Sequence, residues 1–129
     1  MTNEELAEAA RAAAHGSYSP YSKFRVGAVV VGSGGEIFTG ANIENAAYPS
    51  SSCAEATAIG TAVSQGIRKI ETVAVACIDA DDIEGAYPCG DCRQIMSEFN
   101  VERVLVTTGQ GSVIREHTMD KLLPHRFSL

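Results

Sequence analysis

A chain of 129 residues with 45% hydrophobic and 20% charged side chains fits one domain, residues 1–129, around a single core. Its net charge of -6 and scattered Lys and Arg leave no basic face for phosphates, which argues against a nucleic-acid partner. No run nears the roughly 18 apolar residues of a membrane span, and Met1-Thr2-Asn3-Glu4-Glu5 lacks the apolar stretch of a secretory signal, so a cytoplasmic protein with no membrane partner is expected.

Thr2-Asn3-Glu4-Glu5 has the spacing of a capping box, predicting an alanine-rich helix that ends near Gly16. Val26 to Val31 reads as a buried strand, Gly32-Ser33-Gly34-Gly35 as a turn, and Glu36 to Gly40 as the second arm of a hairpin. Apolar residues recur at helical spacing from Cys53 to Gln65, with Gly66 where a C-terminal glycine belongs. Thr72 to Ile78 is a strand, Asp79 to Asp82 a turn, and Pro88 introduces a helix from Gly90 to Phe99. Arg103 to Thr107 and a short Val113 to Glu116 are further strands, and Thr118 is placed to cap a last helix ending at Leu123-Pro124. A hairpin followed by alternating strands and helices implies a mixed sheet with helices on both faces.

Chemistry concentrates at two helix starts. Cys53-Ala54-Glu55 opens the second helix and Pro88-Cys89-Gly90-Asp91-Cys92 opens the third. The positive end of a helix dipole lowers a thiol pKa and favours the thiolate that a metal takes. Structural zinc closes with four protein ligands, whereas catalytic zinc keeps a position for water. Cys77 lies inside an apolar strand, and His15, His117 and His125 stand in no ligand spacing, so the candidate set is Cys53, Cys89 and Cys92. Zinc brings the ionisation of bound water near neutrality, and Glu55 is placed to take that proton and pass it to a substrate ring nitrogen. Cys-x-Glu with Pro-Cys-x-x-Cys is the pattern of zinc nucleobase deaminases. By itself, Cys89-Gly90-Asp91-Cys92 reads equally as a thiol redox pair, so a redox or structural zinc module is the reading from another class.

Beyond these motifs, Pro20-Tyr21-Ser22-Lys23-Phe24-Arg25-Val26-Gly27-Ala28, Gly40-Ala41-Asn42-Ile43-Glu44-Asn45-Ala46, Arg93-Gln94 and Leu122-Leu123-Pro124 complete a set that resembles the small homotetrameric cytidine deaminases over nearly the whole chain. The resemblance implies a three-layer α/β/α fold with a five-stranded mixed sheet. It implies one Zn2+ per chain, a nucleoside substrate (cytidine and deoxycytidine, in pyrimidine salvage) and a homotetramer with sites shared between subunits. By the same resemblance Asn42 and Glu44 bind the sugar hydroxyl, Phe24 packs on the base and the Ala54 backbone reads it. Ala46, Tyr48 and Phe127 reach a neighbouring subunit's site, and Arg93 is a cation beside the ligand thiolates. Two features depart from the family pattern: Ala56 stands where an arginine is common, and Ser50-Ser51-Ser52 precede the first cysteine. The blasticidin S deaminases, which share the zinc motif and lack that arginine, are the nearest enzymatic alternative.

Overall fold

The computed structural model describes residues 1–129, in which helices α1 (Asn3–Ala14), α2 (Ala54–Ser64), α3 (Gly90–Glu98) and α4 (Met119–Leu122) surround strands β1 (Val26–Gly32), β2 (Ile37–Ala41), β3 (Ile70–Cys77), β4 (Arg103–Thr108) and β5 (Arg115–His117). The strands form one sheet in the order β2-β1-β3-β4-β5, with β3 and β4 parallel and every other pair antiparallel. This is the expected mixed five-stranded sheet, and helices cover both of its faces.

Side-chain alternation along the strands divides the interior in two. Val29, Ala74, Ala76 and Leu105 face α1 and pack on Leu6 and Ala10. Ala28, Val30, Val73, Val75, Val104 and Val106 face the other way, against Ala54, Ala58, Ile59, Cys92 and Met96 of α2 and α3. The Thr2–Glu5 capping box forms as predicted, satisfying otherwise free N–H groups at the start of α1. Two glycines set how closely the helices approach. A Cβ on Gly27 would stand 2.1 Å from the Ala10 carbonyl oxygen, and one on Gly40 would stand 2.5 Å from the Ala58 nitrogen. Both helix backbones therefore rest directly on the sheet, and Gly40 fixes the seat of α2.

The far end differs from expectation. Pairing of β5 begins at Arg115 opposite Val106 rather than at Val113, because Thr107 Oγ1 takes the Val113 carbonyl at 2.8 Å and keeps that segment in the turn. Thr118 precedes α4 but makes no side-chain cap; burial of Met119 and Leu122 holds this short helix instead. Strand β3 starts two positions before Thr72, since Ile70 is fully buried and its N–H is taken by the Phe99 carbonyl. No helix is long and apolar enough to cross a membrane.

Candidate active site

Helices α2 and α3 point their N-termini at one another. Cys53 is the N-cap residue of α2 and Cys89 that of α3, with Cys92 in the first turn of α3. The three sulfurs lie within 4.8 Å of one another, and those of Cys53 and Cys89 are 3.9 Å apart. Tetrahedral zinc with Zn–S bonds of about 2.3 Å sets its sulfurs about 3.8 Å apart, so the spacing and the donor set both fit that ion.

The thiols are electrostatically unequal. Hydrogen bonds from Cys92 and Cys89 hold Cys53 down to about 6. Cys92 is pushed the other way by its bond to Cys53 and by its burial. One proton leaves the cluster easily, and each further thiolate must form beside an existing anion. A bound dication removes that conflict.

Glu55 follows Cys53 into the first turn of α2 and is only 4% exposed. Burial, helped by negative charge on Cys53, raises its carboxyl to about 7. A carboxyl in that range can both accept and donate a proton near neutrality. It lies on a cavity of about 300 Å³, at the small end of ligand sites. Cys53, Ala54 and Cys89 line it together with Phe24, Val26, Val75, Cys77 and Tyr87.

Asn42 and Glu44 also line the cavity. Asn42 Nδ2 donates to Phe24 O at 2.8 Å, and its Oδ1 accepts from Val26 N at 3.0 Å and Ser17 Oγ at 2.5 Å. Glu44 Oε1 accepts from the N–H groups of Tyr21 and Ser22, at 2.9 and 3.1 Å, while Oε2 takes the Ser22 hydroxyl. Those bonds, the Ser22 hydroxyl first, hold the Glu44 carboxyl below the usual range. Each side chain keeps unused capacity, one N–H on Asn42 and lone pairs on Glu44, and each is oriented before a ligand arrives.

Phe24, Asn42, Glu44, Cys53, Ala54, Glu55 and Cys89 thus converge, and Cys92 closes the sulfur triangle from beneath. Ala46, Tyr48 and Phe127 do not line this cavity; Tyr48 and Phe127 are 78% and 69% exposed on the single chain. Arg93 braces the approach to Cys89, donating from Nε to Pro88 O at 2.9 Å and from Nη1 to Leu122 O at 2.8 Å; both bonds go to carbonyls. Ala56, half-buried, occupies the first turn of α2.

Of the lining residues that sequence reasoning did not name as site residues, Ser51, Ser52, Cys77 and Tyr87 bring polar groups to the cavity. Ser51 and Ser52 lie at the cavity because Ile43 and Ser52 exchange backbone bonds of 2.9 and 2.8 Å; the uninterrupted serine run was the available signal. Cys77 fills the strand as expected and also faces the cavity, where burial pushes its thiol up to about 12. Tyr87 carried only its place two residues before Cys89.

Similarity to known proteins follows the same pattern. The model of the cytidine and deoxycytidylate deaminase zinc-binding region matches residues 1–108. A cytidine deaminase of Sporosarcina psychrophila is 43% identical over 99% of this chain and 93% of its own length. The crystal structure of cytidine deaminase from Burkholderia pseudomallei superposes with a TM-score of 0.89 at 40% identity, covering 98% of this chain and all of the other. A blasticidin-S deaminase of Bacillus cereus is 31% identical over 83% of this chain and 79% of its own.

Proposed function

Because this chain belongs to the cytidine and deoxycytidylate deaminase family, we propose that it hydrolyses cytidine and deoxycytidine to the corresponding uridines and ammonia. The observation that carries the reading is a buried near-neutral carboxyl, Glu55, beside three converging thiols at a cavity that Asn42 and Glu44 also line. Cys53, Cys89 and Cys92 would hold the zinc. When bound, that ion supplies Lewis acidity and a ready source of hydroxide at neutral pH.

The remaining work falls to the chain. Glu55 holds at its carboxylate the proton drawn from the attacking water and gives it to the ring nitrogen beside the amino-bearing carbon, then serves the departing ammonia in the same way. Phe24 packs on the base and the Ala54 backbone reads it. Asn42 and Glu44 bind a sugar hydroxyl as donor and acceptor, using the capacity their internal bonds leave free. Residues 1–129 act as one domain, in a cytoplasmic salvage role. Assembly as a homotetramer would bring Ala46, Tyr48 and Phe127 to a neighbouring subunit's cavity, and the exposed rings of Tyr48 and Phe127 support such a surface.

The blasticidin S reading has the weaker identity and gives no use to the oriented Asn42 and Glu44 pair. A redox reading of Cys89 and Cys92 leaves Cys53, 3.9 Å from Cys89, without a role. The test is ammonia release from a panel of cytidine, deoxycytidine, cytosine and blasticidin S by zinc-loaded protein. Free cytosine should be at least tenfold poorer, since it brings no sugar hydroxyl and forgoes the hydrogen bonds to Asn42 and Glu44. Inactivity towards cytidine, or a preference for blasticidin S, would overturn the assignment.

A further inference from the structure

Three consecutive residues before Cys89 are each tied to a different element. The Cys77 thiol at the end of β3 donates to Ala86 O at 3.5 Å, and Arg93 of α3 donates to Pro88 O at 2.9 Å. Those two ties fix backbone. The one between them fixes a side chain that lines the cavity: Tyr87 Oη lies 2.8 Å from His117 Nε2 and 3.2 Å from Arg115 Nη1. The phenol and imidazole rings are tilted by 54° with centroids 5.2 Å apart. Arg115 Nη1 also donates at 2.5 Å to Glu84, in the turn that leads into Tyr87.

A guanidinium has only protons to give, so the Tyr87 hydroxyl accepts from Arg115, while the direction of its bond with His117 Nε2 follows the imidazole tautomer. Strand β5 therefore holds the phenol by its hydroxyl end. No residue of β5 lines the cavity.

We propose that Tyr87 is a positioning residue of the substrate cavity, its ring held as a fixed wall by His117 and Arg115 of the edge strand. A wall whose rotamer is already set need not be ordered when substrate binds, so the latch supports affinity. It does not set the position of the sulfurs. Cys89 is held separately, as the N-cap of α3 and through the Arg93 tether on Pro88. Loss of the latch should consequently act on KM and spare kcat, the signature of lost uniform binding.

The proposal rests on the cavity being the nucleoside site, and the test keeps the two apart. Steady-state kinetics on cytidine, with zinc content measured, are compared for the natural chain, Tyr87→Phe, His117→Leu, the double variant and His117→Gln. His117→Leu should raise KM about 3- to 10-fold, the worth of one hydrogen bond, and Tyr87→Phe, which removes the Arg115 bond as well, at least as much, with kcat and zinc content unchanged. The double variant should be no worse than Tyr87→Phe alone, because Tyr87→Phe already removes the bond to His117 together with that from Arg115. His117→Gln should recover KM, since its amide can accept from or donate to the phenol as leucine cannot. An unchanged KM in Tyr87→Phe, additive losses in the double variant, no recovery with glutamine, or a loss confined to kcat would overturn the latch. A natural chain inactive on cytidine would instead remove the functional reading and this proposal with it.

Discussion

Asn42 Nδ2 donates to the Phe24 carbonyl at 2.8 Å, so the residue expected to meet the sugar also fixes the residue expected to meet the base. Its Oδ1 accepts from Val26 N at 3.0 Å, which binds the end of β2 to the start of β1. Asn42→Asp keeps the shape and turns the donor into an acceptor facing that carbonyl. Stability should fall by about 1–3 kcal/mol at neutral pH. On acidification through the carboxyl's pKa the deficit should shrink, because the protonated acid regains a donor. Urea unfolding at pH 7 and pH 4 measures both; a deficit constant with pH would show that the donor is not what matters.

Glu55 and the cysteines should separate cleanly on substitution. Cys53→Ala, Cys89→Ala and Cys92→Ala each remove a thiol of the cluster and should yield protein that no longer retains zinc. Glu55→Gln should keep zinc while losing about 10²- to 10⁴-fold in kcat, the usual worth of a positioned acid–base group. Metal analysis beside the rate assay decides; near-normal turnover by metallated Glu55→Gln would refute the proton-transfer role.

Legibility in the sequence followed locality. Cys53 with Glu55, and Cys89 with Cys92, sit in short motifs at helix starts, where a few residues define both the conformation and the chemistry. The continuous apolar run from Thr72 to Ile78 likewise marks a buried strand without tertiary knowledge. The Tyr87–His117 contact joins positions 30 apart, from a loop and an edge strand with no shared periodicity, and nothing local points from one to the other. Strand β5 was displaced because a side-chain bond from Thr107 to Val113 O overrode the local strand signal. The role proposed for Tyr48 and Phe127 depends on another copy of the chain, which neither one sequence nor one subunit displays.

Gly40 and Gly60 offer a paired test of how α2 is seated. A Cβ on Gly40 would stand 2.5 Å from Ala58 N and 2.9 Å from Ala54 O, whereas one on Gly60, within α2, meets nothing within 4 Å. Gly40→Ala must push away the helix start that carries Cys53 and Glu55, so it should cost about 1–3 kcal/mol and weaken zinc retention. Gly60→Ala should add up to about 1 kcal/mol by improving helix propensity alone. Denaturant midpoints of the two variants should move in opposite directions; a neutral Gly40→Ala would mean that α2 is not held by this approach.

Arg25 and Asp79 join the start of β1 to the end of β3 beside the cavity, and their pairing predicts a pH dependence of stability. Arg25 Nε and Nη2 each reach an oxygen of Asp79 at 2.9 Å, and Arg25 N donates to the same carboxylate at 2.8 Å. The Arg25 side chain, followed by its backbone N–H, holds the Asp79 carboxyl down to about 2. In the unfolded chain an aspartate ionises near 3.9, at roughly the model-peptide value. Between those limits the unfolded state binds more protons, so the contribution is full above about pH 4 and is lost as pH falls towards 2. Solvent reaches both partners, with 44% of the Arg25 side chain and 27% of the Asp79 side chain exposed; screening therefore limits the worth of the pair to about 1 kcal/mol or less. Asp79→Asn should be less stable than the natural protein by that amount at pH 7 and low salt. The gap should narrow below pH 4 and also with added salt at pH 7. Urea unfolding of both proteins at pH 7, 5 and 3, repeated at two salt concentrations, checks the sign. A gap that widens on acidification would show that the charge on Asp79 opposes folding.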